Sequence, residues 1–136
     1  VLRAAVLGSP VAHSLSPVLH RAGYAAAGLD GWEYGLHEVD AAGLAGFVDG
    51  LDESWRGLSL TMPLKEAALE VAVDVSALAR RAGAANTLVR RNDGGWDATN
   101  TDVAGVVGAL RPHLVGAPAR ALVLGAGATA RSCVLA

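Results

Sequence analysis

The chain has a single lysine among ten arginines, and it stands in the run Gly57-Leu-Ser-Leu-Thr61-Met-Pro63-Leu-Lys65. Pro63 fits the first position of a helix, where its missing N–H leaves no bond unmade. Lys65 then falls in the first helical turn, at the positive pole of the macrodipole, which disfavours an ammonium group. Residues three and four further on are Ala68 and Leu69, so no ion pair along the helix surface offsets that penalty. An amine held in this way is suited to acid–base work on a substrate. The plainer alternative is a solvated surface lysine, and the neighbouring motifs decide between the two.

Four further clusters carry chemistry. In Ser14-Leu-Ser16-Pro17, Ser16 fits a helix N-cap and Pro17 the first helical position. Two hydroxyls beside free helix N–H groups make a seat for an anion such as a carboxylate. Capping alone accounts for Ser16 but not for Ser14. Asn86-Thr87 follows Gly83-Ala-Ala85, and its amide suits either a turn or a ligand. Asn100-Thr101-Asp102 opens another helix, where an acidic residue is favoured by the dipole with or without a role in catalysis. Gly125-Ala126-Gly127-Ala128-Thr129-Ala130 matches the glycine pattern that lets backbone approach a pyrophosphate at a helix start.

The elements that must position these groups follow from pattern. Short apolar runs alternate with helical periodicity, which predicts an α/β protein with a mostly parallel sheet flanked by helices. Strands are expected over 4–7, 32–39, 57–60, 86–90, 95–98 and 120–124, the last a buried parallel strand. Helices are expected over 17–27, 41–51, 63–72, 76–82 and 101–114, ended where appropriate by Gly28, Gly83 and Gly116. Asn92-Asp-Gly-Gly95 signals a hairpin, so the two strands around it should be antiparallel. In this reading every chemical cluster lies at the end of an element, where open α/β sheets bind their ligands.

Composition narrows the function. The chain has 136 residues, 52% of them apolar, enough for a real core. No apolar run approaches the ~18 residues of a membrane span, so no membrane partner is expected. A net charge of −2 gives no basic footprint for nucleic acid. Cys133 is the only cysteine, which rules out an internal disulfide and fits the reducing cytoplasm; it reads best as a small buried apolar residue. His13, His20, His37 and His113 lack ligand spacing, so no metal site is expected.

The motifs Ser14-Leu-Ser16-Pro17, Thr61-Met-Pro63-Leu-Lys65, Gly83-Ala-Ala-Asn86-Thr87, Asn100-Thr101-Asp102 and Gly125-Ala-Gly127 resemble, in order and spacing, those of shikimate dehydrogenases. The resemblance implies reduction of 3-dehydroshikimate to shikimate with NADPH, in the pathway to chorismate and the aromatic amino acids. It implies a substrate domain over 1–102, then a linker helix and the opening strand–turn–helix of an incomplete, Rossmann-like NADP-binding domain over 103–136. Ser14 and Ser16 would hold the substrate carboxylate. Thr61, Lys65, Asn86 and Asp102 would contact the ring hydroxyls, with Lys65 and Asp102 at the reacting centre. Gly125, Ala126, Gly127, Ala128, Thr129 and Ala130 would bind NADP. The family usually has asparagine where this chain has Ser59, and more often glycine at the Ala128 position. Within the same resemblance a quinate or aminoshikimate dehydrogenase fits equally, and so does a homodimer. A different class, a small-carboxylate binding module without hydride chemistry, is the remaining alternative.

Overall fold

The computed structural model describes residues 1–114, 116 and 120–136. Six strands form one sheet: β1 (Leu2–Gly8), β2 (Trp32–Glu38), β3 (Trp55–Leu60), β4 (Asp74–Val75), β5 (Thr87–Arg90) and β6 (Trp96–Thr99), in the spatial order β2-β1-β3-β5-β6-β4. Three pairings are parallel (β1 with β2, β1 with β3, β4 with β6), while β5 runs antiparallel to both neighbours. The Asn92–Gly95 turn thus makes the expected hairpin. The parallel connections need crossovers, and helices supply them.

The described residues form six α-helices: α1 (Ser16–Ala26), α2 (Leu44–Asp49), α3 (Leu64–Val71), α4 (Ala77–Ala82), α5 (Asp102–Leu110) and α6 (Ala128–Leu135), the last packed against α4 and α5 rather than on the sheet. β1 shows why both faces must be covered. Its alternation sends Ala5 and Leu7 into the larger core with Leu44, Val48, Leu64 and Ala68, and Ala4 and Val6 into a smaller one with Val11 and Tyr34. Tyr24 of α1 packs against the smaller cluster. The core therefore straddles the sheet, and the strand ends are left free to carry loops.

Several boundaries depart from the sequence reading, each for a local reason. Ser16 is the first helical residue of α1 rather than its cap, and the Ser14 hydroxyl accepts the Ser16 amide at 3.3 Å. The residue that capping did not explain in the sequence is thus the one that serves the helix start. Pro63 stands at the cap position of α3 instead of inside it, which keeps Lys65 in the first turn. Helix α2 begins only at Leu44, because Asp40 accepts the Gly43 amide at 2.8 Å and holds residues 41–43 in a turn. The helix expected over 101–114 ends as α-helix at Leu110; Pro112 lacks the N–H that would continue the ladder, and Arg111–His113 tighten into a 3-10 turn. Gly116 has φ +76, but the helix has already ended. Ser76 caps α4 through Ala79 N at 3.2 Å, and Gly83 closes it at φ +60.

The largest correction concerns residues 120–124, expected as a buried parallel strand. They form neither strand nor helix, and Leu122 and Leu124 are 85% and 88% exposed. An apolar segment becomes a strand only where neighbours take its backbone bonds, and no described strand lies beside it. Among the described residues, no helix is long and apolar enough to cross a membrane.

Candidate active site at the strand ends

Backbone hydrogen bonds draw the motif loops together before any side chain is considered. Thr61 N donates to Leu7 O at 2.9 Å and Ser9 N to Met62 O at 3.0 Å, fastening the loop after β3 to the end of β1. Gly8 permits that approach, since a Cβ there would collide with the Thr61 methyl group. Ala85 N donates to Lys65 O at 2.7 Å, Leu60 N to Asn86 O at 2.7 Å and Asn86 N to Thr99 O at 3.1 Å. Segments far apart in sequence thus meet along one edge of the sheet.

The side chains then converge. Lys65 Nζ donates to Asp102 Oδ2 at 2.7 Å, with the two side chains only 14% and 22% exposed. Asp102 Oδ1 accepts from Asn86 Nδ2 at 2.8 Å, so both carboxylate oxygens have fixed partners. Asn86 Oδ1 in turn accepts Thr101 N at 3.0 Å, orienting the amide. Behind Asp102, the buried Asn100 accepts Asp102 N at 2.9 Å and donates to Ala84 O at 3.0 Å. The carboxylate is thus positioned from its backbone and from its side chain. A charge-assisted bond of this kind holds an amine in place for proton transfer or for stabilising a developing oxyanion.

Ser14, Ser16, Thr61, Lys65, Asn86 and Asp102, the six residues expected around a substrate, all line one cavity of about 440 Å³. The Ser14 oxygen accepts the Ser16 amide, which leaves its hydroxyl proton to donate elsewhere. The sequence reading passed over two aromatic residues here. His20 lines the cavity and stacks on Tyr34 with centroids 3.9 Å apart, and Tyr34 Oη donates to Ser59 Oγ at 2.7 Å. His20 could have been found, since it lies four residues after Ser16 on the same helical face. Nothing in the local pattern marks Tyr34, which reaches Ser59 only because β2, β1 and β3 stand in register. Burial raises the Tyr34 phenol above its ordinary value, and hydrogen bonding with Ser59 and Ser16 pulls the other way.

The glycine-rich turn Gly125–Gly127 does not line this cavity and leads into α6. Gly125 has φ +119, a left-handed conformation open to glycine, and around both Gly125 and Gly127 a Cβ would meet nothing within 4 Å. Open backbone before a helix N-terminus fits a pyrophosphate. Gly125, Ala126 and Gly127 are exposed to solvent.

A family model described as the shikimate dehydrogenase substrate binding domain matches residues 6–88. The shikimate dehydrogenase (NADP(+)) of Caulobacter vibrioides is 47% identical over 135 residues, covering 96% of this chain and 47% of that protein. The shikimate 5-dehydrogenase of Thermus thermophilus, solved in complex with NADP(H) and shikimate, has a TM-score of 0.86 and 42% identity, covering 97% of this chain and 50% of its own. A ligand-free 5-ketofructose reductase of Gluconobacter sp. strain CHM43 has the same TM-score at 32% identity, covering 98% of this chain and 48% of its own. The chain spans about half the length of the relatives it matches.

Proposed function

The chain belongs to the shikimate dehydrogenase substrate binding domain family, and on that premise we propose that it holds the substrate in an NADP-dependent enzyme of the cytoplasm that reduces 3-dehydroshikimate to shikimate on the route to chorismate. Residues 1–102 form the substrate-binding unit, and residues 103–136 supply the linking helix and the opening of the nucleotide-binding unit. The observation that carries this reading is the 2.7 Å Lys65–Asp102 pair at the wall of a cavity rich in hydroxyls.

Reduction of a ketone places negative charge on its oxygen, which must then gain a proton. The Lys65 ammonium lies where it can stabilise that charge, and the Lys65–Asp102 pair supplies the proton. Asn86 keeps Asp102 turned toward Lys65, and Thr61 offers a hydroxyl to the ring. Ser14 and Ser16, in the same cavity, offer hydroxyls to the carboxylate. NADP, when bound, supplies the hydride, and residues 125–130 would hold its pyrophosphate.

The test is Lys65→Ala in the enzyme that carries this chain. We expect kcat to fall by ~10²–10⁴ with little change in KM. A variant keeping more than about a third of the parent kcat would remove Lys65 from the chemistry. The serine pair favours a carboxylate substrate over a neutral sugar, so shikimate should be turned over far faster than 5-ketofructose. Parallel rates on quinate and an aminated shikimate define the choice within the family. Binding of shikimate without any turnover would leave a binding module in place of an enzyme.

A further inference from the structure

Lys65 has three N–H bonds to satisfy, and Asp102 takes only one. A second points at the opening of α6, where Thr129 Oγ1 lies 3.3 Å from Lys65 Nζ. Thr129 is the second residue of that helix, directly after the glycine-rich turn. On an unanchored helix such a contact would carry little weight, but α6 is tied down on both sides. Arg131 donates to Ala82 O at 2.8 Å and Gly83 O at 3.2 Å, and it pairs with Glu66, the residue after Lys65. The fully buried Ser132 accepts from Asn100 Nδ2 at 3.0 Å. Asn100 is also the residue that holds Asp102 N. The helices bearing Lys65 and Asp102 are therefore both fastened to the helix that bears Thr129.

We infer that Thr129 is a positioning residue for Lys65: its hydroxyl accepts the second N–H of the ammonium, Asp102 accepts the first, and the third is aimed into the cavity. The donor count gives the reason. With one partner, the ammonium can rotate about its stem and share its remaining protons with water. With two fixed acceptors, a single N–H direction is left for the substrate oxygen. A valine at position 129 keeps the shape and removes the acceptor; a serine keeps the acceptor. The inference rests on the reading of Lys65 as the group at the reacting centre, and it adds a link between the nucleotide loop and that group.

In the ¹⁵N-lysine-labelled enzyme the Lys65 Nζ signal is the one missing from a Lys65→Arg variant, and its ammonium-proton exchange can then be followed. In Thr129→Val we expect exchange to speed up by about 2- to 10-fold, the worth of one modest hydrogen bond. We expect kcat on shikimate to fall by a similar factor with KM unchanged, and Thr129→Ser to restore both. Thr129→Ala replaces the valine variant if that one melts early. Unchanged exchange in the variant lacking the hydroxyl overturns the inference, whatever happens to kcat. Equal loss in the serine variant overturns it too, since the hydroxyl would then not be the cause. If the parent enzyme turns over no shikimate, the functional reading fails by itself, while the exchange measurement still decides the role of Thr129.

Discussion

Helices α1 and α6 both begin in a motif that the sequence marks as an anion seat, yet their supports are opposite. α1 follows β1, which pairs with β2 on one side and β3 on the other and is buried from Ala4 to Gly8. α6 follows residues 120–124, which pair with no described strand and expose Leu122 and Leu124. What holds α6 is its far side, through Arg131 and Ser132. A helix start that stands on a paired strand inherits the rigidity of the sheet. One that stands on unpaired backbone depends on whatever side chains reach out from the helix itself. The end proposed for the substrate is built in the first way and the end proposed for the nucleotide in the second.

The largest effect that could break this contrast is in the core. Leu7→Ala, at a fully buried site in β1, should cost ~2–5 kcal/mol in urea unfolding. Leu124→Ala should stay within about 0.5 kcal/mol of the parent. Equal costs would mean that residues 120–124 are packed after all. Next comes the buried joint. Asn100→Ala strands partners on three segments and should cost about 1–3 kcal/mol. Hydrogen exchange should then accelerate at the amides of α6 while β1 stays protected; uniform acceleration would deny α6 its separate anchoring.

Smaller effects sharpen the comparison at the first helix start. Since the Ser14 oxygen takes the Ser16 amide, Ser14→Ala should lower stability by ~0.5–1 kcal/mol. Ser16→Ala should lower it less. Thermal melts in the reverse order would return the capping role to Ser16. The smallest effect is a dependence on alkaline pH. Burial raises the folded-state value of Tyr34 above 10.0, so the folded chain keeps this proton where the unfolded chain has lost it. Its stabilising share is complete below about pH 10 and declines as pH rises through the raised value. Tyr34→Phe should flatten that part of the stability profile, and an unchanged alkaline limb would assign it to another group.

That the six candidate residues meet in one cavity was legible in part because they stand in short motifs at element ends. Ser14, Thr61, Lys65, Asn86 and Asp102 each stand within two residues of an element's start or end, and such residues obey local rules of capping, turn geometry and proline placement. The glycine conformation at Gly83 and the Asn92–Gly95 hairpin followed from the same rules. The two-residue β4 was not legible, because Asp74 and Val75 have no period to read and become a strand only through β6. Tyr34 escaped for the same reason.

By itself the sequence determined the alternation of strands and helices, the turns, and which chemical groups would stand at their ends, since these depend on contacts within a few residues. The tertiary structure alone decided which groups meet: it brought Lys65 to Asp102 across 37 positions and Tyr34 to Ser59 across 25, and it gave the helix-start bond expected of Ser16 to Ser14. It also decided that residues 120–124, apolar enough for a strand, would not be one. Propensity can make a segment ready to pair, but a strand exists only when a second backbone takes up its hydrogen bonds.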